Sequence, residues 1–117
     1  MRWLRRRRLR RDAVVVLVRA RALISLPAGW TQKAFARNHA GDPVEYWDRE
    51  AVCFCVQGAK QRAAAELDVA GSAATVAGEM LYDAAFDLFG SYSLVTVNDQ
   101  LGHGAVIETL DLAISRG

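Results

Sequence analysis

The chain is poor in the residues from which most recognisable sites are built. Its 117 residues include two cysteines, two histidines and two prolines. On a helix, Cys53 and Cys55 point to different sides, which opposes a mutual disulfide or a shared metal. One C-x-C without a second Cys/His pair is not a zinc motif. A phosphate-cradling glycine loop and a convincing catalytic triad are also missing, so neither cofactor nor metal is expected. The apolar run after the basic start, residues 13–18, spans six residues before Arg19 and Arg21 interrupt. A secretory core needs about 7–15 apolar residues and a membrane span about 20, so a cytoplasmic protein with no membrane span is expected, despite the twin-arginine look of Arg10-Arg11.

What remains describes a folded domain. An apolar fraction of 52% is that of a globular chain. Alanine and valine supply much of it, which predicts close helix packing on a small-residue core. Charge is unevenly placed. Residues 1–12 carry seven arginines and one aspartate, net +6, whereas the other 105 residues carry −4. Residues 1–11 are therefore read as a basic arm on a single globular domain, 12–117.

Periodicity predicts a mainly α fold: about four helices, with a short β-hairpin between the first two. The first covers about 12–25, with Ala13, Val16, Leu17, Ala20, Leu23 and Ile24 on one face. Extended pieces at 33–37 and 44–47 flank the turn-forming NHAGDP. Asp48 is placed to cap a second helix whose stripe is Val52, Cys55, Val56, Ala59, Ala63 and Leu67, with Cys53, Gln57 and Lys60 on another side. Gly71-Ser72 opens the third, with Ala73, Val76, Ala77, Met80, Leu81, Ala84, Ala85 and Leu88 inward, and Gly90 ends it. Residues 91–97 alternate weakly, as a short strand or connector. Val106, Ile107, Leu110, Ala113 and Ile114 make the last helix amphipathic.

Two constellations carry possible chemistry. Asn98, Asp99 and His103 crowd a glycine-containing turn before the last helix. Asn and Asp bond nearby backbone amides, so these residues read first as turn and cap formers. With Cys55 they also make a nucleophile, base and orienting carboxylate, although Cys55 falls on an apolar stripe and a reactive thiolate needs a basic, accessible setting. The arm is the second: Arg5, Arg6, Arg7 and Arg8 suit phosphate, and Trp3, Leu4 and Leu9 suggest a basic amphipathic helix. Trp30 is read as an anchor of the hairpin with its N–H paired. Thr31 and Gln32 offer polar groups to a pocket, and Arg37 and His39 are read as solvated.

The stretch ALISLPAGWTQKAFARNHAGDPV…AVCFCVQGA resembles a small bacterial family, domain of unknown function 6197. Ala22, Leu23, Ile24, Pro27, Trp30, Thr31, Gln32, Ala36, Arg37, Gly41, Pro43, Val44, Ala51, Val52, Cys55, Gly58 and Ala59 match its first block. Asn98, Asp99, His103, Val106, Leu110, Asp111, Ala113 and Ile114 match its second. The likeness covers about residues 20–115. Lys33 stands where the family tends to have glycine, Phe54 and Val97 replace tryptophans, and Gly102 replaces threonine. The loop after Asp99 is two residues shorter. The resemblance implies fold boundaries and carries no activity.

These readings favour a small cytoplasmic binding or regulatory module acting on another macromolecule, with a protein as the expected partner. A thiol-dependent enzyme using Cys55 and His103, and a non-specific nucleic-acid binder acting through the arm, are the alternatives. The oligomeric state stays open.

Overall fold

The computed structural model describes residues 2–91 and 93–117. Helix α1 runs Arg2–Ile24 and packs against α2 (Val56–Leu67), α3 (Gly71–Phe89) and α5 (His103–Ser115). Between α1 and α2 lie a short helical turn, Pro27–Gly29, and a small antiparallel sheet. Its strands β1 (Ala36–Arg37), β2 (Pro43–Val44) and β3 (Cys53–Phe54) are ordered β2-β1-β3, with Ala36 opposite both Val44 and Phe54. A one-turn helix α4, Leu94–Thr96, joins α3 to α5 through a widened turn, Val97–Leu101.

The expected mainly α architecture is present. The core is built on α1, whose Ala13, Val16, Leu17, Ala20 and Ile24 are fully buried, against Ala59, Ala63, Ala77, Leu81, Ala84, Val106, Leu110 and Ala113. Alanines at this many contacts let helix backbones approach closely, while Leu17, Ile24, Leu81 and Leu110 fill the volume between them.

Several sequence-based boundaries move. Helix α1 starts about ten residues earlier than predicted, because arginine is a good helix former that needs no buried face. Helix α2 starts at Val56, well after the expected cap. Asp48 instead closes a local turn, its Oδ1 accepting from Glu50 N at 2.8 Å. Cys55 is the cap: its Sγ accepts from Gly58 N at 3.3 Å. Residues 53–54 extend instead and make a third strand, so Val52 leaves the core and is 42% exposed. Leu67 and Leu88, at the ends of their helices, are exposed too, whereas Lys60 is buried. Residues 94–101 are helical, not extended.

One close approach explains where α2 must begin. A Cβ on Gly58 would stand 1.9 Å from the Phe35 carbonyl oxygen. Only glycine lets the first turn of α2 lie against the strand segment, where Cys55 N donates to that same oxygen at 3.1 Å.

Candidate functional site

The polar residues before α5 are held by the widened turn. Ser93 caps α4, its Oγ accepting from Thr96 N at 3.1 Å. The helix then loosens, and the turn closes with Gly102 N donating to Val97 O at 3.1 Å. Gly102 has φ +97°, a conformation glycine adopts without strain. The extra residue in the turn sends Val97 and Asn98 inward together. Such widened turns recur at functional sites.

Asn98 is 1% exposed and uses all its side-chain bonding capacity. Its Oδ1 accepts from Trp30 Nε1 and from Val56 N, both at 2.9 Å. Its Nδ2 donates to Thr31 O at 3.0 Å and to Asp99 Oδ1 at 2.9 Å. One amide thus joins the exit of α1, the start of α2 and the turn before α5. The anchoring role read for Trp30 is present, and its paired N–H with it.

Asp99 extends the network outward. Its Oδ1 also accepts from Lys33 N at 3.1 Å. Lys33 lies at φ +63°, in the left-handed region that favours glycine. Gln32 Nε2 donates to Asp99 O at 3.2 Å. Arg37 is not solvated as expected: it donates to Thr31 Oγ1, Gln32 O and Gly41 O at 2.9–3.0 Å, locking the hairpin to this loop.

His103 does a different job. Its Nε2 lies 2.6 Å from Ile24 O, at the C-terminal end of α1. A carbonyl only accepts, so Nε2 carries the proton and satisfies one of the open carbonyls that end a helix. The ring rests against Trp30 with centroids 5.3 Å apart. Cys55 and His103 have separate partners, and no hydrogen bond joins them.

Cys55, Asn98 and Asp99 do come together, around a cavity of about 320 Å³. Lys33, Ala34 and Phe35 form one wall, Cys55, Val56 and Gln57 a second, and Leu94 and Val95 a third. Burial pushes the Cys55 thiol above its ordinary range, the backbone bonds to the sulfur oppose that, and the Asp99 charge adds to it. Two apolar side chains stand exposed at the rim, Phe35 at 53% and Val95 at 61%, beside the exposed Lys33. Neither was singled out in the sequence. An aromatic between two alanines in the extended piece read at 33–37 was the available signal for Phe35. For Val95 there was none, since the extended reading of 91–97 put it with Val97 on one face.

The match to known families decides the kinship. Residues 9–116 match a family of unknown function, DUF6197. The chain belongs to the DUF6197 family. No curated protein and no solved structure matches it. The DUF6197 match reaches back to residue 9, so it includes the start of the buried part of α1 and leaves five of the seven arginines of residues 1–11 outside. Among the described residues, no helix is long and apolar enough to cross a membrane.

Proposed function

We propose that this DUF6197 protein is a small cytoplasmic binding module that acts on a protein partner through the cleft between Phe35 and Val95. The observation that carries this reading is the exposure of those two apolar side chains on the rim of a cavity floored by Ala34, Val56 and Leu94. A volume of about 320 Å³ lies at the small end of ligand sites and suits one large apolar side chain. Apolar anchors set in a pocket dominate protein interfaces, and a polar group at the edge orients them. Asp99 meets that need, because of its two carboxylate oxygens only Oδ1 takes a hydrogen bond among the described residues.

Thiol chemistry has less support. The Cys55 sulfur caps α2, its pKa is raised by burial, and the imidazole of His103 is spent on α1. A nucleophilic cysteine needs the opposite setting, with a lowered pKa and an adjacent base. Two unpaired cysteines agree with a reducing compartment.

The test is co-purification of the intact chain and Val95→Arg from the native host, followed by affinity measurement with the purified partner. The charged variant, with an unchanged melt, is expected to bind at least tenfold more weakly, a loss of about 1.4 kcal/mol. Equal affinity would rule the cleft out as the binding surface.

A further inference from the structure

The N-terminal half of α1 carries a ring of positive charge. Arg2 to Arg8 are exposed, and the first buried residue of the helix is Ala13. At about 100° per residue, Arg2, Arg5, Arg6, Arg7, Arg8, Arg10 and Arg11 leave no arc of the helix wider than roughly 60° without an arginine. Arg10 donates to Arg116 O at 2.8 Å, and Arg7 lies over the Trp3 ring at 5.7 Å. No arginine of residues 2–11 makes an ion pair among the described residues. Arg7, Arg10 and Arg11 also line a depression of about 400 Å³ where the rod meets the body.

The helix carries an electrostatic cost as it stands. Its first turn holds no acidic residue, so positive charge sits against the positive end of the helix dipole. Arg2 and Arg6, Arg6 and Arg10, and Arg7 and Arg11 stand four apart, where like charges repel. A polyanion relieves both penalties.

The distribution of charge selects among polyanions. A helix lying on a membrane needs one apolar face. Trp3, Leu4 and Leu9, which the sequence offered for that face, lie roughly 100–140° apart around the helix and make none. Cations on every side suit a ligand with phosphates on both sides. The major groove of B-form DNA is such a ligand: it is about 12 Å wide and admits a helix of about 10–12 Å diameter. The A-form groove of duplex RNA is too narrow. The guanidinium fork matches phosphate oxygens better than an ammonium does.

We propose that residues 2–11 are a DNA-binding rod that lies in the major groove of duplex DNA and contacts phosphates on both walls, without reading sequence. The net −4 of residues 13–117 keeps the body away from the backbone, which leaves the projecting arm as the contact.

Fluorescence anisotropy with a labelled DNA duplex of about 20 bp tests this on the full chain. Four phosphate contacts give a slope of about −3.6 in log affinity against log salt, a fall of roughly 150-fold between about 50 and 200 mM. The variant R5A/R6A/R7A/R8A keeps or gains helix, since alanine is the better helix former, and is expected to lose binding with its melt intact. Duplex DNA is expected to bind more tightly than single strands or duplex RNA of equal length. Salt-insensitive binding, binding retained by the variant, equal affinity for single strands, or attachment to phosphatidylserine vesicles without duplex binding would each overturn the proposal.

Discussion

Trp30 donates its indole N–H to Asn98 Oδ1 at 2.9 Å, and this bond ties the exit of α1 to the turn before α5. The same oxygen takes the Val56 amide at the start of α2. Removing the Asn98 amide leaves two buried donors and one carbonyl without partners. Asn98→Ala is therefore expected to cost at least about 3 kcal/mol, at about 1 or more for each orphaned group. Asn98→Asp should cost at least as much, since its second oxygen would face Thr31 O and Asp99 Oδ1. Asp99→Ala should cost about 0.5–2 kcal/mol, the range for a lost cap. Urea melts of the three variants check the order; an Asn98→Ala chain as stable as the parent would contradict it.

Lys33 keeps a backbone conformation that suits glycine, at φ +63°. Lys33→Gly is expected to stabilise the fold by about 0.5–1 kcal/mol, the left-handed strain outweighing the extra freedom of the unfolded glycine. The Lys33 N–H to Asp99 bond is retained in the variant. A lower midpoint in the same urea melt would show that the lysine side chain holds the loop.

Most of the packing was legible in the sequence, because helices bury residues at three- and four-residue steps. Ala73, Ala77, Met80, Leu81, Ala84 and Ala85 are buried as their spacing predicts. Helix starts were less legible. Asp48 has the better capping chemistry, but the approach of the Phe35 carbonyl to Gly58 puts the cap of α2 at Cys55, a contact between segments more than twenty residues apart. Of the stretch 91–97, read with a period of two, residues 94–97 are helical and run into the widened turn, where Asn98 points inward to partners from elsewhere in the chain. The Asn98 bond to Val56 N brings Cys55 beside Asp99, and a separate bond to Ile24 O holds His103 on α1.

Lys60 is 9% exposed, and no carboxylate among the described residues pairs with it. Its ammonium is packed where a Cβ on Gly78 would be 3.0 Å away, and burial lowers its pKa. Lys60→Met is expected to raise stability at neutral pH by about 1 kcal/mol or more, as replacing buried charge commonly does. Between the lowered native value and the ordinary 10.5, the unfolded chain holds more protons than the native one. The parent therefore gains on the variant as pH rises through that window. Thermal melts at stepped pH check this, and an advantage that grew with pH would contradict it.

Cys55 is expected to be sluggish toward iodoacetamide at neutral pH, since burial and Asp99 hold its thiol above the ordinary 9.0. Mass-mapped alkylation should find it slower than the same cysteine in the urea-unfolded chain, with His103→Ala leaving the rate unchanged. Faster alkylation in the native state, slowed by His103→Ala, would revive the enzyme reading.

The role of the Phe35–Val95 cleft is tested most directly by site-specific photocross-linking in the native host. A photoreactive side chain replaces Val95 in one chain and Glu108, exposed on α5 and not part of the cleft lining, in another. A discrete protein adduct from position 95, absent from position 108 and lost when Phe35→Asp is added, is the expected result. The same adducts from both positions, or none from position 95, would contradict a protein partner held in the cleft.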